Sequence, residues 1–261
     1  LMRMDKFNKY IIRNCERGGR LTDTYCNLVK QYNSNANYIT PRDIKHEMGK
    51  RYELFSGKMQ QDSHEFICLL LNGLDHEFTE EDRKDKTVGK YIDVERKAHY
   101  ISLESEKTMV HDKRGPTLLL HIPLDSGHCN LKDCLTLYTT AETQNRKMSF
   151  DNIVNGKKLD DSKEYGVKRM EIVSMGTYLI IGLARFIEKR NVRRKINIPI
   201  DIPFTIRGIN SKYKLVGFTI HHGGLNFGHW NACVERNGIW FFADDSSVRP
   251  ISYRDTERMS K

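Results

Sequence analysis

A histidine followed fifteen residues later by paired aspartates is the arrangement in this chain with the most chemistry in it. His229 stands directly after Gly228 at the start of a strand-like segment, and Asp244 and Asp245 close the next one. An imidazole beside a carboxylate on a neighbouring strand is the base and orienter of nucleophilic catalysis. No cysteine or serine stands in a context that marks it as the third member. A second carboxylate, Asp62, opens an apolar helical segment, where it complements the helix dipole. His221 and His222, one strand before His229, read as structural residues when taken alone.

The elements that must position these groups follow from periodicity. Tyr213 to Ile251 reads as two strands joined by a glycine-bearing loop, Gly223 to Gly228, then a third strand ending in the aspartates. The first third of the chain reads helical. Leu1, Met4, Phe7, Ile11 and Cys15 recur at helical spacing. Thr40-Pro41-Arg42-Asp43 predicts a helix start with Thr40 as cap and Pro41 at the first helical position. Asp62 to Phe78 is the strongest helix, with Phe66, Leu70 and Leu74 on one side and Ile67 and Leu71 widening the stripe. Cys68 lies inside it and reads as a small core residue. The polar run 79–86 reads as a linker. Beyond it come strands at 117–124, 178–187, 195–206 and 213–221, with a short helix over 130–139 capped by Asn130. Helices first and strands second predict an α+β fold: a helical lobe of residues 1–88, a β-rich lobe of 89–261, and a cleft between them holding Asp62, His229 and Asp244.

Composition narrows the classes. With 38% hydrophobic and 10% aromatic residues, the 261-residue chain can build a folded core. Its longest apolar run, Tyr178 to Ala184, is too short to span a bilayer, so no membrane partner is expected. The formal charge of +9 raises a nucleic-acid module as an alternative, but the basic residues are spread along the chain. The dense run from Lys189 to Lys195 reads as a solvated hairpin tip. Six cysteines without a CxxC pair fit reduced thiols in the cytoplasm or nucleus.

Three segments, in order, resemble the ubiquitin-specific protease family of papain-like thiol proteases. Gln60 to Phe66, QQDSHEF, is similar to the family's QQDxxEF box. GTYLIIGLARF, ending in Arg185-Phe186, is similar to its PxxLxIHLKRF strand. YKLVGFTIHHGGLNFGHW, followed by WFFADD, is similar to its histidine and aspartate boxes, with His221, Gly223, Gly228 and His229 in register. The resemblance covers about residues 1–253. It implies a papain-like fold with thumb-like and palm-and-fingers-like lobes, and hydrolysis of isopeptide bonds at the ubiquitin C-terminus. It also implies catalytic roles for His229 and Asp244, and contacts to ubiquitin or ubiquitinated proteins at Gln61, Asp62, His221 and Gly228. Two departures lie beside the cleft: Trp230 replaces the family's tyrosine and Ala243 its phenylalanine.

The family's zinc-binding CxxC pairs are missing from the corresponding stretches, about 88–111 and 148–158, so no metal or other cofactor is expected. Cys129 and Cys134, with His128, have irregular spacing for a metal site. The family's cysteine box, GNTCYMNS-like, is expected just upstream of Leu1. Cys26 lacks that context. Cys233, four residues along the strand begun by His229, is expected about 13 Å away. Two readings follow: a hydrolase whose nucleophile lies outside this sequence, or a ubiquitin-binding scaffold without the chemistry.

Overall fold

The computed structural model describes the chain except residues 35–37, 79–87, 106, 151–152, 155–156, 159–162, 190–191, 225–226 and 260–261, and side chains at 153–154, 157–158, 187–189 and 192–193. The 79–86 linker therefore falls outside the described residues. Four main helices come first: α1 Asp5–Arg13, α2 Arg20–Asn33, α3 Arg42–Arg51 and α4 Ser63–Glu77. Each buries residues at three- and four-residue spacing, as an amphipathic helix must. In α2 these are Leu21, Thr22, Tyr25, Cys26 and Val29. A single-turn helix, α5 Gly89–Ile92, closes this part. The core formed between them contains Phe7, Tyr25, Met48, Leu71, Leu74, Phe78 and Ile92, with Tyr178 and Ile180 packed against it. It therefore draws in residues from beyond position 88.

α3 begins one residue later than its sequence suggests. Pro41 takes the cap position, its carbonyl accepting the first helical bond from Lys45 N–H at 3.0 Å. Thr40 therefore sits outside the helix and makes no cap bond. Cys68 is half-buried rather than a core residue; the buried stripe of α4 runs through Leu70, Leu71 and Leu74.

The strands form separate small sheets. β1 Val94–Ser102, β2 Thr108–Gly115, β3 Leu118–Leu120, β4 Glu142–Thr143 and β5 Gly166–Met175 come first. An antiparallel sheet runs in the order β2-β1-β5-β4, with Ala98 opposite Met170. Between β3 and β4 lies α6 Leu131–Thr139, whose Asn130 side chain bonds the N–H groups of Lys132 and Asp133 while Asp133 reaches back to Asn130 N–H. A second core gathers Val94, Leu118, Leu120, Leu131, Cys134, Ile196 and Ile200.

The strand expected over 178–187 is two strands, β6 Ile181–Leu183 and β7 Phe186–Lys189. β6 pairs in parallel with β3, and β7 forms a hairpin with β8 Val192–Lys195. The break falls at Arg185, whose N–H turns back to Leu183 O at 2.8 Å, and the side chain of the same residue reaches a second segment. Its Nη1 donates to the carbonyls of Ile196 and Ile198 at 3.2 and 2.9 Å. Those acceptors are thereby taken from any ladder, and the expected strand over 195–206 shrinks to two short pieces, Ile200–Asp201 and Thr205–Arg207.

The last sheet is an antiparallel meander: β9 Gly217–Gly223, β10 Gly228–Arg236, β11 Ile239–Asp244 and β12 Ser247–Ile251. Asn237 and Gly238, with φ of 52° and 82°, make the two-residue turn between β10 and β11, a conformation Asn-Gly favours. β12 is a fourth strand beyond the three expected. The terminal helix α7 Tyr253–Met259 brings Met259 Sδ to 3.8 Å from the Cys233 thiol. No described helix is long and apolar enough to cross a membrane.

Candidate active site

His229 is the second residue of β10 and Asp244 the last of β11. These strands pair antiparallel, which returns the end of β11 to the start of β10. Nε2 of His229 lies 2.5 Å from Oδ1 of Asp244. The hydrogen bond to Asp244 is the main cause that raises the His229 pKa above the ordinary histidine value; slight burial opposes it, and the charges of Asp244 and Asp245 add to it. His229 is exposed and Asp244 half-buried, so the pair orients a ring more than it stabilises the fold. Asp245 turns the chain into β12 with a φ of 49°. One ligand atom from each of His229, Asp244 and Asp245 lies within 4.8 Å of the others.

The two ends of the loop before His229, Gly223 and Gly228, are closely constrained. Gly223 adopts a φ of +101°, which disfavours a side chain, and a Cβ there would meet Gly228 Cα at 2.7 Å. A Cβ on Gly228 would come within 2.1 Å of His221 Nε2, so the imidazole of His221 covers bare backbone. His221 is packed between Phe186 and Trp230, at centroid distances of 5.8 and 4.6 Å. Burial pushes its pKa down, and the Lys195 charge adds to this. Nζ of Lys195 donates to the carbonyls of His221 and Gly223, both at 2.9 Å. Sequence reading left Lys195 as part of a solvated tip; its ammonium instead clamps the end of β9.

α4 supplies the opposite side. Asp62 is its N-cap, accepting from the N–H groups of His64 and Glu65 at 2.7 and 3.3 Å. Gln60 Nε2 donates to Gly228 O at 2.7 Å, joining the entry of α4 to the first residue of β10. The Asp62 carboxylate is near enough to His221 to counter part of its pKa depression. Gln61 is exposed. Asp62, His221, Gly228, His229 and Asp244 are thus linked pairwise: Asp62 acts on His221, His221 covers Gly228, and His229 beside it bonds Asp244. Gln60, which sequence reasoning passed over, makes the direct link; its position in the Gln-Gln-Asp box was the available signal.

Each of the six cysteines lies elsewhere. Cys15 contacts Asp23, Cys26 is buried against Ile11 O, and Cys68 faces His64 and Thr117. Cys233 is buried against Met259, and Cys129 and Cys134 are buried in the second core.

The profile for ubiquitin carboxyl-terminal hydrolase matches residues 1–260. Ubiquitin carboxyl-terminal hydrolase 12 of Salmo salar is 25% identical over 270 residues, an alignment covering 91% of this chain and 71% of the relative. Among solved structures, the SAGA DUB module of Ubp8, Sgf11, Sus1 and Sgf73 bound to monoubiquitin matches with a TM-score of 0.75 at 18% identity. That match covers 95% of this chain and 60% of the other. The same module bound to ubiquitin aldehyde gives a TM-score of 0.71 at 18% identity, covering 94% of this chain and 59% of the other. This chain thus spans about three fifths of the solved chains it matches. At that identity the likeness carries the α+β, papain-like fold.

Proposed function

Since the chain belongs to the ubiquitin carboxyl-terminal hydrolase family, we propose that it is the base-bearing part of a thiol isopeptidase acting at the ubiquitin C-terminus. Its nucleophilic thiolate comes from sequence outside these 261 residues. The observation that carries the reading is the 2.5 Å contact between His229 Nε2 and Asp244 Oδ1, at a strand start stapled to α4 through Gln60. Because Asp244 occupies Nε2, Nδ1 is the nitrogen left to serve the thiol. An attacking thiolate would form a thioester with the terminal glycine carbonyl while His229 Nδ1–H protonates the departing lysine amine. His229 would then take a proton from the water that cleaves the thioester. Asp62, at the start of α4, offers a carboxylate to the basic ubiquitin tail. Ubiquitin and ubiquitinated proteins are the partners under this reading, in the cytoplasm or nucleus, where six free thiols stay reduced.

The test is to express the chain together with its upstream coding segment and assay ubiquitin-conjugate cleavage. Activity that a His229→Ala change lowers by at least ~10²-fold supports the assignment. An extended chain with a cysteine box that binds ubiquitin and cleaves nothing would overturn it in favour of a scaffold. So would labelling of the 261-residue chain at an internal cysteine by a ubiquitin electrophilic probe.

A further inference from the structure

One sulfur outside the His229 site stands against a base and a hydroxyl. Cys68 lies four residues after His64 on α4, so one helix face carries both. Sγ of Cys68 is 3.6 Å from Nε2 of His64 and 3.2 Å from Oγ1 of Thr117. The same Nε2 is 3.1 Å from that hydroxyl, so three groups from two segments close a triangle. The imidazole is seated against β6, where a Cβ on Gly182 would fall 2.5 Å from His64 Cδ2. Thr117 is buried, while Cys68 and His64 are half-buried, so the pair is only partly covered by the fold.

We propose that Cys68 is a reactive thiolate, a modification site for hydroperoxides and other small soft electrophiles, separate from the His229 chemistry. Burial raises the Cys68 pKa, but the hydrogen bonds from His64 and Thr117 and the His64 charge outweigh it and hold the thiol below its ordinary value. The Asp62 carboxylate opposes them. The bond to Cys68 is the main cause that raises the His64 pKa; burial opposes it, and the charges of Cys68, Asp62 and Glu65 add to it. Both shifts favour a thiolate–imidazolium pair. The other shifted thiols move the opposite way, chiefly through burial: Cys26 and Cys134 are pushed up to about 12, and Cys15 and Cys233 are also raised.

With hydrogen peroxide the Cys68 thiolate attacks one oxygen. An S–O bond forms, the O–O bond breaks, and hydroxide leaves with the electron pair. The His64 imidazolium gives that hydroxide its proton, so the products are sulfenic acid, water and neutral imidazole. Sulfur is oxidised by two electrons and the peroxide is reduced. A small thiol reverses the product.

The experiment is timed alkylation of the folded chain with iodoacetamide at pH 7, read by peptide mass spectrometry. Cys68 is expected to be labelled before Cys15, the other partly exposed thiol. His64→Gln is expected to slow Cys68 labelling at least ~3-fold, because the loss of thiolate is partly offset by greater intrinsic nucleophilicity. The Cys15 rate, which reports an intact α1–α2 region, should not move. Peroxide followed by dimedone should tag Cys68. Earlier labelling of Cys15, or an unchanged Cys68 rate in the variant, would overturn the proposal. If His64→Gln labels at all six cysteines together, Thr117→Val takes its place, and a Cys68 rate equal to the parent's overturns the proposal in the same way.

Discussion

At the scale of the residue, His229 is defined by which of its nitrogens is spoken for. The Asp244 carboxylate on Nε2 favours the imidazolium and leaves Nδ1 facing outward from the pair. In an NMR titration His229 should therefore titrate above the ordinary histidine value of ~6.5. Asp244→Asn should bring it down toward that value without fully restoring it, since the Asp245 charge also acts on the ring. The sign for stability is fixed by the same shift. The pair's contribution is fully present below the unfolded-state pKa and is lost as pH rises through the folded one. A His229 pKa unmoved by Asp244→Asn would remove Asp244 from the orienting role. The two residues were legible in the sequence because a glycine-bearing loop and a strand end flank them. Lys195 was not, because its two partners are backbone carbonyls, which have no sequence signature.

At the scale of the element, α4 gives its first turn two duties. The Asp62 side chain caps the helix, and the charge of the same carboxylate acts on His221. The duties can be separated, since asparagine caps a helix as well as aspartate and carries no charge. Asp62→Ala should cost about 1 kcal/mol of stability and weaken ubiquitin binding. Asp62→Asn should keep the melting temperature and lose only the binding. Equal binding by the parent and Asp62→Asn would reduce Asp62 to a cap. The start and length of α4 could be read from Asp62 and the apolar stripe. The strand ends could not, because Arg185 reaches from one segment to take the carbonyls of another, and periodicity carries no information about such long-range bonds.

At the scale of the whole molecule, two cores and a four-stranded meander are tied together by a few polar links. Arg3 on the helical side pairs with buried Glu235 on β10 at 3.3 Å, and Lys6 N–H donates to Tyr178 Oη at 2.8 Å. The far end of the β2-β1-β5-β4 sheet has its own link. Glu164 accepts from Ser102 and from Ser105 Oγ at 2.5 Å, and Lys107 lies 3.5 Å away. The carboxylate thus joins the turn after β1 to the segment leading into β5. The strands of this sheet come from stretches without the paired cysteines that a thiolate metal site needs. A chelator should then leave the melting temperature unchanged, and purified protein should carry substoichiometric zinc. Glu164→Gln should lower the melting temperature at neutral pH. The hydroxyls of Ser102 and Ser105 are the leading cause that holds the Glu164 pKa below the ordinary carboxylate value, and Lys107 adds to this; partial burial opposes it. Its stabilisation is therefore present above the unfolded glutamate pKa of ~4.3 and is lost as pH falls through the lower folded value. The gap in melting temperature between parent and Glu164→Gln should close on acidification through that window. A gap that persists at lower pH would show that the side chain acts through packing, and one equivalent of tightly bound zinc would show that a metal holds this end instead.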